Sequence, residues 1–184
     1  MQLDPLFYLQ NVSFAPERVD QRFPHARRIL TGGVFISHSG IDSIFIQRNI
    51  IQVLSDRFND GIFFQNKGFG GREEYIQLVQ AALHYCNKFI LVLSKNSIGN
   101  PWVYAEVDWV MVHQRPIICC LMDSSDPALL HRQLADYSLN SSNYFKAVDF
   151  QEDIGLAQIR LGAFVDELLQ KPPSSRTPVD GTEI

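Results

Sequence analysis

The sequence predicts an α/β fold in which helices alternate with the strands of a parallel sheet. From Gly33 onward, short apolar runs alternate with segments whose apolar residues recur at helical spacing, the pattern of strands joined by helical crossovers. One run, Phe89-Ile-Leu-Val-Leu93, is apolar at every position, as a strand covered on both faces must be. With 184 residues and 46% hydrophobic content, the chain suits one domain with a full core, and two domains would be cramped.

Val34-Phe-Ile36 is the first strand. After the Ser39-Gly40 break, Asp42 or Ser43 can cap a helix running to about Phe58, with Ile46, Ile50, Val53 and Leu54 turned to the sheet. Asn59-Asp60-Gly61 signals a turn, Ile62-Phe-Phe64 a second strand, and Asn66-Lys-Gly-Phe-Gly-Gly71 a flexible loop. Glu73 and Glu74 open the next helix, in which Ile76, Val79, Leu83 and Cys86 recur at helical spacing. The all-apolar third strand, Phe89 to Leu93, belongs at the sheet centre beside the first. Asn100 is a good N-cap and Pro101 fits the first helical position, where its missing N–H would lack a partner anyway. That helix ends before Pro116, Ile117-Ile-Cys-Cys-Leu121 is a fourth strand, and Phe145-Lys-Ala-Val-Asp-Phe150 alternates as an edge strand does. Asp123 to Asn143 is polar and irregular, with a short helix at Pro127 to Leu134. A final helix, about Ile154 to Leu169, turns Leu156, Ile159, Phe164 and Leu168 inward.

These elements divide the chain into an extension over 1–31, a domain over 32–170 and a disordered tail over 171–184. The tail opens Lys171-Pro-Pro-Ser-Ser-Arg-Thr-Pro178, which cannot bury enough apolar area to offset its ordering entropy. The extension contains Leu6, Phe7, Tyr8 and Leu9 without a clear period, and it docks either on the domain or on a neighbouring subunit. A formal charge of -4 and a pI near 5.7, with Arg27-Arg28 the one basic cluster, provide no electrostatic footprint for nucleic acid. Cys86, Cys119 and Cys120 have neither a disulfide framework nor metal-ligand spacing, which fits a reducing compartment. No run approaches the roughly 18 apolar residues of a membrane span. The expectation is a cytoplasmic protein without a membrane, nucleic-acid or metal partner.

Ligands of open parallel sheets bind at the carboxyl ends of the strands. The segment after Ile36, the loop ending at Gly71 and the segment before Trp102 all leave from that edge. Ser37-His38-Ser39-Gly40-Ile41-Asp42 leads into a helix N-terminus, where backbone N–H groups attract phosphate; ordinary capping by Ser and Asp is the alternative. Gly68-Phe-Gly-Gly71 follows the second strand and lacks the spacing of a dinucleotide-binding turn, so it reads as a mobile or partner-docking loop. Counted from Pro101, Trp102 and Glu106 share one helix face, which Trp109 and His113 continue. A carboxylate between indole rings at a cleft mouth loses water and has a raised pKa, as functional acids often do. The alternative is a helix-surface Glu beside core tryptophans. His38 has no nucleophile positioned by the sequence, His84 and His113 read as surface or satisfied, and no metal-ligand pattern occurs. A phospho-acceptor receiver needs clustered acids at the end of its first strand, where this chain has Ser37-His38-Ser39.

In order, Val34-Phe-Ile-Ser-His-Ser39, Ile62 through Gly71, Phe89-Ile-Leu-Val-Leu-Ser94, and Ser97 through Trp102 to Glu106 resemble a TIR domain, over about Gly33 to Leu169. The resemblance implies a flavodoxin-like α/β fold, a five-stranded parallel sheet with helices on both faces. The family divides into adaptors that act by assembling and enzymes that cleave NAD+ at the nicotinamide–ribose bond, releasing ADP-ribose or its cyclic isomers. Glu106 matches the family's catalytic glutamate and Trp102 its aromatic companion. By the same resemblance Ser37, His38, Ser39 and Asp42 lie near diphosphate and ribose, and Phe63, Phe64 and Gly71 border the cleft. Gln65 departs from the acidic residue many members carry there, and the following loop is glycine-rich rather than proline-bearing.

The resemblance further implies that NAD+ is substrate rather than bound cofactor, and that the chain self-associates through contacts between TIR domains. It also implies the role of a stand-alone bacterial effector in antiphage defence, which depletes NAD or makes a (cyclic) ADP-ribose signal sensed by a separate effector. Two other functions fit the same layout. One is a non-catalytic interaction module; the other is a nucleoside deoxyribosyltransferase-like enzyme, which uses a Glu as nucleophile on nucleosides.

Overall fold

A computed structural model describes Leu9 and residues 16–64, 72–123 and 146–170. The loop expected at 66–71, including Gly71, lies outside the described residues, as do Gln65, the short helix expected at 127–134 and the tail over 171–184.

The apolar runs form strands β1 (Val34–Ser37), β2 (Ile62–Phe64), β3 (Lys88–Leu93), β4 (Ile117–Leu121) and β5 (Lys146–Asp149). All pair in parallel in the order β2-β1-β3-β4-β5, the flavodoxin-like arrangement. β3 is therefore central beside β1, and β5 is an edge, as its alternating sequence requires. Where β1 leaves its preceding turn, Gly33 is needed for close approach. A Cβ there would lie 2.1 Å from the Gly61 carbonyl oxygen, which accepts the Val34 N–H at 2.9 Å.

The pleat sorts the core into two halves. On one face Phe35, Phe89, Leu91, Leu93, Ile117 and Cys119 pack with helices α4 (Arg72–Tyr85) and α5 (Pro101–Val112). On the other, Val34, Ile36, Ile90, Val92, Ile118 and Cys120 pack with helix α3 (43–58) and helix α6 (Ile154–Gln170). In α3 the buried residues Ile46, Ile50 and Leu54 recur in steps of four, and Val53 is half-buried. Such steps drift around an α-helix; a widened π turn over Gln47–Ile51 brings them back into line. The expected stripe of α4 is buried at Ile76, Val79 and Leu83, and Cys86 is buried just past the helix end.

The stripe of α6 is corrected. Ala157, Leu161, Val165 and Leu168 face the core, whereas Leu156 and Ile159 are exposed. This helix is apolar around much of its circumference, and the small residues Ala157 and Gly162 on the inward side let it approach its neighbours. Gly162 also leaves room for Arg57, whose guanidinium donates to both carboxylate oxygens of Asp166 at 2.7 and 2.9 Å and joins α3 to α6.

The extension packs on the domain through its described part. Helices α1 (Pro16–Arg22) and α2 (Ala26–Leu30) lie against α4, with Leu9, Ala26 and Leu30 joining the core. Arg22 pairs with Glu74, and the Tyr85 hydroxyl donates to Asp20 at 3.2 Å. Among the described residues no helix is long and apolar enough to cross a membrane.

Candidate functional site

β1 ends in Ser37. Because side chains alternate along a strand, Phe35 and Ser37 point to the face on which α5 lies, and α5 packs against β1. The start of α5 is fixed as its sequence requires: the Asn100 side chain accepts the Trp102 N–H at 3.0 Å, and Pro101 occupies the first turn. One and a half turns on, Glu106 is buried at 4% exposure, and the Ser37 hydroxyl donates to its Oε2 at 2.5 Å. Burial disfavours the charged carboxylate and pushes its pKa up to about 8, against the opposing effect of the Ser37 hydrogen bond.

Tyr75, in the first turn of α4, completes this group. Its ring meets Trp102 edge-on, with centroids 5.5 Å apart and planes at 77°. Burial first, and the charge of Glu106 second, hold its hydroxyl in the protonated form. The helical spacing of α5 does place an aromatic ring, Trp102, one turn before Glu106. Trp109 is turned elsewhere: it stacks on His113 at 3.7 Å and meets His84 edge-on at 5.1 Å. The expectation of indoles on both sides of the carboxylate is corrected accordingly. His84 is driven down to about 4, first by burial and then by the nearby charges of His113 and Arg115.

A second carboxylate at this edge has a different setting. Asp42 is 2% exposed and stands at the N-terminal boundary of α3, yet its side chain makes no cap. It reaches across the sheet edge instead, accepting from Ser94 Oγ at 2.6 Å and from Asn96 Nδ2 at 2.8 Å. Ser97 closes the turn after β3 by donating its hydroxyl to the Ser94 carbonyl at 2.9 Å and accepting the Ser94 N–H at 2.9 Å. Asp42 thereby ties the loop after β1 to the loop after β3. The cap expected at Asp42 or Ser43 is absent because the first turn tightens into a 3₁₀ turn over Gly40–Asp42; the Ser43 hydroxyl donates to the Gly40 carbonyl at 2.7 Å.

The pleat also separates the remaining expected residues. Phe63 pairs with Phe35 across β1 and β2 and stacks on it at 5.1 Å, on the face that carries Glu106. Phe64 belongs to the opposite face, where it stacks on His38 at 4.9 Å. His38 also hydrogen-bonds the Ile36 carbonyl through Nδ1 at 3.1 Å. Ser39 is buried, and its carbonyl accepts the Asp42 N–H at 2.9 Å. Glu106, Ser37, Trp102 and Phe63 thus share one face of the sheet, with His38 and Phe64 across it.

Sequence reasoning assigns no role to Tyr75 or Asn96, and includes Ser94 and Ser97 only as ends of motifs. The available signal was their position: each lies just beyond the carboxyl end of a strand or in the helical turn that follows. Among the described residues no group of three or more His, Cys, Asp or Glu could hold a metal ion. What the arrangement offers chemically is one buried carboxyl group whose charge is controlled by its surroundings, a hydroxyl that orients it, and two aromatic rings beside it.

A family model described as the TIR domain matches residues 34–153, the span that holds β1 through β5 and every site residue named above. No curated protein and no solved structure matches the chain.

Proposed function

The chain belongs to the TIR domain family, and we propose that its Glu106 site cleaves the nicotinamide–ribose bond of NAD+. The observation that carries this reading is the buried Glu106, oriented by Ser37, with the Trp102–Tyr75 pair one helical turn before it.

The nicotinamide of NAD+ is a cationic ring, so it leaves as a neutral base without a general acid. The electrons of the C1′–N bond pass to the ring, and positive charge develops on the ribose. A carboxylate beside that carbon stabilises the oxocarbenium-like transition state, the problem glycosidases solve with a carboxylate pair. Water then adds at C1′ and loses a proton, giving nicotinamide, ADP-ribose and one proton. Capture by a nucleophile within the same ADP-ribosyl group gives a cyclic product instead. Glu106 acts as the anion in this scheme. The arriving cation favours its ionised form, opposing the burial that otherwise keeps it protonated.

By the same reading the substrate partner is NAD+, the chain works by self-association in the bacterial cytoplasm, and its product or the loss of NAD serves antiphage defence. The test is nicotinamide release by the wild type and Glu106→Ala at rising protein concentration, with products separated by mass. Release by the wild type alone, steepening with concentration, supports the reading; equal release by both proteins, or none by either even at high concentration, overturns it. The second reading is a non-catalytic interaction module. It is favoured by Ile41 and Ile44, exposed at 75% and 66% beside the entry to α3, which offer apolar contact to a partner.

A further inference from the structure

The spacing of α5 brings Trp102 and Glu106 together, but the chain adds a third residue from a different element. Tyr75 enters from α4 and meets Trp102, one turn before Glu106 on α5, while Ser37 reaches the Glu106 carboxyl group from the end of β1. Their contributions differ. Ser37 satisfies one oxygen of Glu106 with a hydroxyl. Tyr75 and Trp102 meet edge to face, which fixes two large rings at nearly a right angle and leaves an aromatic corner. Such a corner offers electron-rich ring surface to a cation while excluding water from what lies behind it.

We propose that Tyr75 is a positioning residue of the Glu106 site: braced on Trp102, its ring walls the carboxyl group off from water and forms one side of the corner that receives a flat cationic ring. The identity of that ring as nicotinamide rests on the function proposed above, whereas the wall does not. Tyr75 is held against Trp102, one helical turn before the buried Glu106, and the charge of Glu106 adds to the burial that keeps its hydroxyl protonated. With the wall in place, Glu106 is hard to ionise until a cation covers it, so the site discriminates by charge as well as by shape.

The wall is tested on the full chain without any turnover. Melting temperatures are measured between pH 5 and 9 for the wild type, Glu106→Gln, Tyr75→Ala, Tyr75→Phe, and each Tyr75 variant combined with Glu106→Gln. In the wild-type background the gain from Glu106→Gln grows with pH, because a buried carboxylate is relieved. In the Tyr75→Ala background that pH-dependent growth falls to about half or less, since water reaches the carboxylate. In the Tyr75→Phe background it is retained, since the ring remains. Undiminished growth in Tyr75→Ala overturns the proposal; where Tyr75→Ala fails to fold, Tyr75→Thr decides by the same criterion. For the corner, nicotinamide release by Tyr75→Ala shows a KM raised several-fold and a rising pH limb moved down by about one and a half units or more, with Tyr75→Phe near wild type. An unchanged KM overturns that part. A wild type that leaves NAD+ intact while the melting temperatures behave as expected overturns the proposed reaction and sustains the wall. Turnover with unaltered pH-dependent growth does the reverse.

Discussion

Asp42 and Glu106 are both buried at the carboxyl edge of the same sheet, at 2% and 4% exposure, yet their surroundings differ in kind. Asp42 has a donor on each oxygen, Ser94 on one and Asn96 on the other, and so joins two loops. Among the described residues Glu106 has one hydrogen-bond donor, Ser37, and beyond it a tyrosine and a tryptophan. Burial with matched donors makes a carboxylate part of the scaffold. Burial with one donor leaves it hard to ionise, a cost that pure structure does not require and that chemistry on a cation can use.

The largest effect is expected at Glu106. If this is the working carboxylate, Glu106→Gln lowers nicotinamide release by about a hundredfold to a thousandfold or more, as loss of a preorganised electrostatic group does. The same substitution makes the protein more stable, and the sign follows from proton binding. Between about 4.5 and about 8 the folded chain holds a proton on Glu106 that the unfolded chain has released, so stability is full below that window and declines as pH rises through it. Glu106→Gln removes the decline, so its advantage grows from near zero at pH 4.5 to on the order of 5 kcal/mol above pH 8, read by denaturant titration at each pH.

Asp42 behaves in the opposite way. Asp42→Ala strands the Ser94 hydroxyl and the Asn96 amide and lowers stability at pH 7 by about 2 to 4 kcal/mol, measured by urea unfolding. A gain on removing Asp42 would erase the distinction between the two carboxylates. The smallest effect is expected at Ser37. Ser37→Ala takes away the donor that favours the charged form of Glu106 and moves the rising limb of the pH–activity curve upward by about one unit or less, leaving a several-fold loss at pH 7.

Much of this architecture was legible because its signals are local. The all-apolar run at Phe89 to Leu93 marked the central strand, and Asn100-Pro101 marked the start of the helix that carries Glu106. The inward face of α6 is legible at Leu168 but not at Leu156 and Ile159, which are apolar yet exposed, because the helix is apolar around much of its circumference and its inward side is Ala157, Leu161, Gly162 and Val165. The site was legible only in part. Glu106 and Trp102 lie on one helix and follow from its period, but Ser37 is 69 positions away and meets Glu106 through the order of the strands. That same order places Phe63 with Glu106 and Phe64 across the sheet, a separation set by the register of β2 on β1. Tyr75 was hidden among the apolar positions of α4, and Asp42 looked like a cap because its preference for helix starts is genuine even where its side chain serves another loop.

On the proposed function, a single buried carboxylate, protonated until a cation arrives, cleaves a cationic glycosidic bond. The pH dependence of kcat/KM for nicotinamide release tests it most directly, because that ratio reports the ionisation of the free enzyme. The expected curve climbs tenfold per pH unit below about 8, levels above it, and vanishes in Glu106→Gln. A curve already level from pH 5, or one that persists in Glu106→Gln, would contradict it.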